Sequence, residues 1–231
     1  MPQTKGYLRA IKTCMLIGIV ILTGCASPSI TTLRDDTFKS SMITSLAGMP
    51  FVKGRRCTEA PSEDNALLDC RLSAINYPIE FYSTGASQEI SLILYEELQK
   101  RYGAAVKDYN AGIFVFKRLA RDHPHSTLRS LASAFARERG VEYVITGILE
   151  NYIEREGRAA GIERPASVNF KLYLMHAPTN TVVFEGSFEE TQKPFTEDPL
   201  NALVFFKRGA RWLTAGELSR EGIIDILEEI R

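Results

Sequence analysis

The chain has 231 residues, 45% of them hydrophobic, and its 28 basic residues are matched by 28 acidic ones. A formal net charge of zero leaves no electrostatic footprint for nucleic acid and no strong attraction to an anionic membrane surface. The length suits one compact domain with a core of its own, with or without an appendage, and the apolar content is that of an ordinary globular chain.

The first residues read as a leader. Lys5, Arg9 and Lys12 form a basic start without an acidic residue, and residues 14–22 (CMLIGIVIL) are an apolar run. Such a run is too short to span a bilayer, which needs about 20 apolar residues. It is followed by Leu22-Thr23-Gly24-Cys25, which is identified as the lipobox of bacterial lipoproteins. The resemblance implies that residues 1–24 are a signal peptide and that Cys25 becomes the lipidated amino terminus. The only added groups are then the diacylglycerol and N-acyl lipid on Cys25, with no other cofactor. Buried acyl chains contribute about 0.8 kcal/mol per CH₂, so two or more anchor stably. Ala26, where an Asp would retain some lipoproteins at the inner membrane, implies by similarity to enterobacterial lipoproteins an outer-membrane, periplasm-facing location. Residues 25–37 are polar, contain Pro28 and lack an apolar period, so they are expected to be a lipidated tether.

The leader changes the cysteine count. Cys14 is removed and Cys25 acylated, leaving Cys57 and Cys70. An even pair in an oxidising compartment predicts a disulfide, which in the chain-entropy picture is worth about 3 kcal/mol. Two cysteines without a nearby His or second CxxC do not make a zinc site. Residues 38–74 are therefore expected to be a disulfide-bearing N-terminal segment.

Residues 75–83 suggest a short strand, restricted by Pro78 to an edge or to a strand entry. In the next stretch Ile90, Ile93, Leu94, Leu98 and Tyr102 share a helical face, with Ser87 as the expected cap and Gly103 as the stop. Residues 113–116 (IFVF) suggest a buried strand. A second helix begins after Ser126 or Thr127, carries Leu128, Leu131, Ala132, Phe135 and Ala136 on one stripe, and ends at Gly140. Residues 141–154 read as a strand buried on both faces, hence central. After an expected loop at 157–166, alternation at Val168, Phe170, Leu172 and Leu174, a turn at 178–180, and alternation at Val182, Phe184, Gly186 and Phe188 predict an antiparallel hairpin. Thr214 and Glu217 form a capping-box pattern before a last helix. The order strand, helix, strand, helix, three strands, helix predicts an α/β (α+β) domain over 75–231, a mixed sheet with helices packed on it.

This order resembles the small α/β domain of the curli-secretion-channel lipoprotein family and the amino-terminal domain of the Tol-system propeller protein. It is also similar to lipoproteins that activate cell-wall synthases or serve polysaccharide and flagellar export. Gly186, Phe188, Glu190, Thr191 and Gln192, with Phe206, Arg208, Gly209 and Trp212, resemble a more specific pattern of envelope lipoproteins without an assigned reaction. The long amphipathic strands a membrane pore would need are missing, so pore formation is not expected.

Few residues look catalytic. His123 and His125 lack further ligands at metal spacing, His176 ends a strand beside a turn, and no GxSxG, SxxK, P-loop or GxGxxG occurs. Glu185 and Glu189 fall on the polar side of a strand and are expected to be solvated. Phe205, Phe206, Arg208, Arg211 and Trp212 mix aromatic and guanidinium groups as interface anchors do, and are the candidate partner-binding residues; the alternative is that the aromatics cover a sheet edge. The expectation is a non-enzymatic binding or assembly accessory, tied to the membrane by its lipid, with an envelope protein as partner and self-association open. An envelope hydrolase with an unrecognised site and an oligomeric export accessory are the alternatives.

Overall fold

The structure, a computed structural model, describes residues 29–54, 67–74, 85–158, 161–193, 208–209 and 211–230. Its elements in chain order are β1 (Ser29–Arg34), β2 (Leu46–Gly48), β3 (Val52–Lys53), α1 (Ala86–Tyr102), α2 (Tyr109–Asp122), α3 (Leu128–Arg139), β4 (Tyr143–Ile153), β5 (Glu156–Arg158), β6 (Gly161–Arg164), β7 (Ser167–His176), β8 (Thr181–Thr191) and α4 (Ala215–Glu229). The main sheet runs β1-β8-β7-β4-β2, and β3 pairs with β4 beyond the end of β2. β2 and β3 are parallel to β4; the other pairings are antiparallel. The α+β class and the mixed sheet with helices packed on it are as the sequence predicts.

Alternation along the central strands divides the core in two. Tyr143, Ile145 and Leu149 of β4 and Phe170, Leu172 and Leu174 of β7 join Ile90, Leu94 and Leu98 of α1 and Leu218, Ile223 and Ile226 of α4 in one cluster. Val144 and Ile148 of β4 and Tyr173 and Met175 of β7 point the other way, against Phe116 and Leu119 of α2 and Leu128, Leu131 and Phe135 of α3. The molecule is thus three layers, α1 and α4 over the sheet and α2 and α3 under it. Period-2 alternation in strands buried on both faces produces this arrangement.

Local signals explain the helix ends. Thr127 accepts from the Ser130 amide at 3.1 Å to start α3, and Gly140 at φ 64° ends it in the left-handed region. Thr214 and Glu217 close the capping box of α4. Gly222 of α4 lies on the Phe188 ring, where an added Cβ would come within 2.4 Å of Cγ, and Gly186 of β8 lies under Ile226. The two glycines let α4 and β8 approach closely.

Several expectations are corrected. Residues 113–116 are not a strand but the middle of α2. Asp108 caps that helix through the Ala111 amide at 2.8 Å. Gly112, Phe116, Leu119 and Ala120 recur on its buried side, while Phe114 is 74% exposed. β-propensity is a weak preference, and here helical spacing and a cap outweigh it. The expected tether at 25–37 contains β1, whose six residues pair with β8 from Ser29 opposite Glu189 to Arg34 opposite Phe184. The α/β domain therefore does not begin at residue 75; residues 29–54 supply three strands of its sheet. Ser87 is not the cap of α1 but a buried residue inside it, and the cap position is Gly85. The expected loop at 157–166 includes the β5–β6 hairpin. The strand expected at 75–83 lies outside the described residues, apart from which the hairpin β7–β8 and the central β4 stand where the sequence puts them.

Candidate functional site

Of the aromatic–basic segment, Phe205 and Phe206 lie outside the described residues, as do Cys25 and Cys57. Arg208 reaches back to β8 and forward to α4. Its Nη1 and Nη2 donate to Glu190 Oε1 and Oε2 at 2.7 and 2.9 Å, and its Nε donates to Glu221 Oε2 at 2.8 Å. Only 12% of the Arg208 side chain and 11% of the Glu190 side chain are exposed. Burial works against the guanidinium charge, but Glu190 and Glu221 outweigh it and raise the pKa of Arg208 above its ordinary value. Trp212 is buried at 8%. Arg211 is half exposed and donates to Glu217 Oε1 at 2.6 Å, while Glu217 Oε2 accepts from the Thr214 amide at 2.9 Å. One carboxylate thus serves both the ion pair and the capping box. Burial would raise the pKa of Glu217, but the Thr214 amide and Arg211 bring it below its ordinary value. Of the described candidates, Arg208 and Trp212 belong to the packing of α4 on the sheet, and Arg211 presents its side chain to solvent.

A second polar cluster gathers at the first turns of α1 and α4. Tyr152 of β4 donates its hydroxyl to Glu89 Oε2 at 2.7 Å, and Glu154 accepts from the Ala215 amide at 3.1 and 3.3 Å. The Glu89 carboxylate lies against Gly216, whose added Cβ would meet Oε1 at 2.3 Å. Burial, then the neighbouring Glu89 carboxylate, pushes the Tyr152 hydroxyl pKa far up. That phenol stays protonated and donates, which suits a structural tie between the two helices rather than a base. Periodicity along the chain gives no sign of this cluster, because Glu89 and Tyr152 are 63 positions apart.

A third charged group joins the same two helices further along. Arg220 of α4 binds Glu97 and, at 2.6 Å, Glu96 of α1, and Lys100 binds Glu97 at 2.8 Å. Beside them a groove of about 220 Å³ is lined by Glu97, Lys100, Arg101, Ile224, Leu227 and Glu228.

The remaining candidates are dispersed. His123 and His125 are exposed, and His176 Nδ1 shares a 2.8 Å hydrogen bond with Thr179 Oγ1 while its ring lies 5.1 Å from that of Tyr143. Among the described residues no three His, Cys, Asp or Glu side chains come together as metal ligands would. Glu189 is exposed as expected, but Glu185 is not solvated: it is 8% exposed, with Lys171 at 3.7 Å across the strands. Alternation puts it on the side of β8 opposite Phe184 and Phe188, where Leu33 of β1 and Tyr173 of β7 are its cross-strand neighbours. Cys70 is 1% exposed, in the cluster under α2 and α3. Among the described residues no helix is long and apolar enough to cross a membrane.

Neither a protein-family model nor a curated protein sequence matches the chain. Among solved structures it is similar to a PelC dodecamer from Paraburkholderia phytofirmans, at 12% identity over 87% of this chain and 96% of that one, with a TM-score of 0.47. It is also similar to the LpoB C-terminal domain from Salmonella enterica (14% identity, 68% of this chain and 87% of that one, TM-score 0.38) and to lipoprotein GNA1162 from Neisseria meningitidis (10%, 72% and 98%, TM-score 0.36). At these values the likeness is one of general fold and carries no inference about activity.

Proposed function

We propose that the chain is a lipoprotein of the bacterial cell envelope, anchored through lipid on Cys25 at the outer membrane and facing the periplasm. It acts there by binding another envelope component, not by catalysis. The anchor rests on Leu22-Thr23-Gly24-Cys25 directly after a basic start and a short apolar run. The observation that supports an accessory role is the use made of the charged side chains. Arg208 with Glu190 and Glu221, Arg220 with Glu96 and Glu97, and Glu154 with the start of α4 each join two elements of the fold. They tie α4 to the sheet and to α1, a structural use of these charges. Anchoring confines the domain to a thin layer and raises its effective concentration toward partners there.

The Cys57–Cys70 disulfide belongs to the same proposal. It is supported by the burial of Cys70. For the partner surface, Arg211 is the described member of the aromatic–basic segment that solvent reaches.

Crosslinking in intact cells, followed by purification of the lipidated chain, tests the reading. A reproducible envelope protein, lost on Arg211→Glu, is the expected result. Turnover of peptidoglycan or of ester substrates by the purified chain would overturn the accessory role. Sedimentation of the same material decides whether the partner is a second copy.

A further inference from the structure

We infer that the domain stands end-on to the bilayer, with one identified pole of its sheet against the lipid headgroups. This deepens the proposed function and rests on lipidation of Cys25. Cys25 stands four positions before Ser29, the first residue of β1. Four residues span at most about 14 Å when fully extended. The folded sheet therefore begins within that reach of the acylated sulfur, wherever the intervening chain runs.

The strand register says which part of the sheet this is. Ser29 is opposite Glu189 of β8, Glu189 is opposite Asn169 of β7, and Asn169 is opposite Asn151 of β4. Two residues further along the sheet, Ser167 lies between Ile153 and Thr191, and then the chain enters the β5–β6 hairpin. At about 4.8 Å between strands, the row from β1 to β4 is roughly 14 Å wide. Among the described residues, this end carries the hydroxyls of Ser167 and Thr191, 2.7 Å apart, the Asn151 side chain on Ser167 at 2.9 Å, and the exposed Glu156, Glu163, Arg164 and Lys193. These residues are polar, of mixed charge, and suited to a headgroup layer rather than to the hydrocarbon interior.

The opposite pole holds Tyr143, His176, Thr181 and Asp35, whose amide donates to the Val183 carbonyl. From Ser29 to that end along β1 is roughly 20 Å at about 3.3 Å per residue. A connection reaching about 14 Å cannot double back over that length and also arrive at the bilayer. The pole at the start of β1 faces the lipid, and the pole with the β7–β8 turn faces the compartment.

The test uses the full lipidated chain in phosphatidylcholine–phosphatidylglycerol vesicles carrying a headgroup-linked nitroxide. A small fluorescent amino acid is introduced at Glu163 near the inferred membrane pole or at Asp36 near the far one; both residues are exposed. Quenching several-fold stronger at Glu163 than at Asp36 is expected. Equal quenching would mean that the edge of the sheet lies flat on the lipid, and stronger quenching at Asp36 would mean the reverse orientation; either result overturns the inference. Flotation with the vesicles is read on the same samples. A chain that floats but shows the wrong pattern sinks the orientation alone, whereas a chain that does not float sinks the anchor as well. A Gly/Ser insert of about 20 residues between Pro28 and Ser29, with a coil span of roughly 25 Å, should even out the two positions without loss of flotation. A difference that survives the insert would remove the short connection as its cause.

Discussion

Arg208 and Glu190 face each other in a two-pronged ion pair, 2.7 and 2.9 Å long, that fastens the approach to α4 onto the end of β8. Both side chains are almost fully withdrawn from water, at 12% and 11% exposure. Removing one partner of such a pair leaves a charge with neither water nor counter-ion, which typically costs about 3–5 kcal/mol. Arg208→Ala is expected to destabilise the protein at the lower end of that range, because Glu221 is 40% exposed and can rehydrate. Glu190→Ala should cost nearly as much. The double variant should cost well under the sum, since both changes remove the same contact. Urea denaturation of the four species measures this directly.

The pH dependence of stability has two opposing contributors. Burial raises the pKa of Glu97, but hydrogen bonds from Lys100 and Arg220 outweigh it and hold the carboxyl below its usual 4.5. A depressed folded value means that the stabilisation is complete above the unfolded value and is lost as pH falls through the folded one. For Asp225 burial, then Glu228, raises the pKa above the usual 3.8 against the pull of Arg208. Its ionisation therefore opposes folding once pH rises past the unfolded value. Glu97→Gln should flatten the loss of stability below about pH 4.5, and Asp225→Asn should raise the urea midpoint at neutral pH, an advantage that vanishes on acidification. Midpoints that track the parent at every pH would contradict both assignments.

The approach of α4 to β8 sets a steric limit. A methyl group on Gly222 would enter the Phe188 ring, which is buried at 1%. Gly222→Ala gains about 1 kcal/mol in helix propensity but forces overpacking that costs about 1–3 kcal/mol. A net loss of stability is expected, and Phe188→Leu in the same chain should recover part of it. Thermal unfolding of the single and double variants gives the comparison.

Thiol chemistry tests the expected covalent link. With the leader removed and Cys25 acylated, labelling of the unfolded, unreduced protein should find no free thiol, and prior reduction should release the pair Cys57 and Cys70. Loss of a link closing a short loop should lower stability by about 3 kcal/mol. Stoichiometric labelling without reduction would remove the disulfide from the reading.

Much of the architecture was legible along the chain because its cause is local. The stripe of α3 with Thr127 and Gly140 at its ends, the alternation of β7 and β8, and the capping box at Thr214 each lie within a few residues of the signal that announces them. The site was less legible. Arg208 stood out as an aromatic–basic neighbour of Trp212, yet its carboxylate partners are 13 and 18 positions away, and their distance from one another in sequence hid its structural use. Glu89 and Tyr152 gave no signal at all.

The sequence by itself carried the motif at Leu22–Cys25 and determined α1, α3, α4 and the long hairpin, since motifs and periodicity depend only on neighbours in the chain. Tertiary structure decided the fate of SITTLR at 29–34 and IFVF at 113–116. The first is too polar to read as a strand and becomes one because β8 offers an unpaired edge; the second has strand-like residues and becomes helix because Phe116 and Leu119 fit the underside of the sheet only at helical spacing. In both cases the deciding free energy comes from a surface contributed by distant residues, which no local window contains.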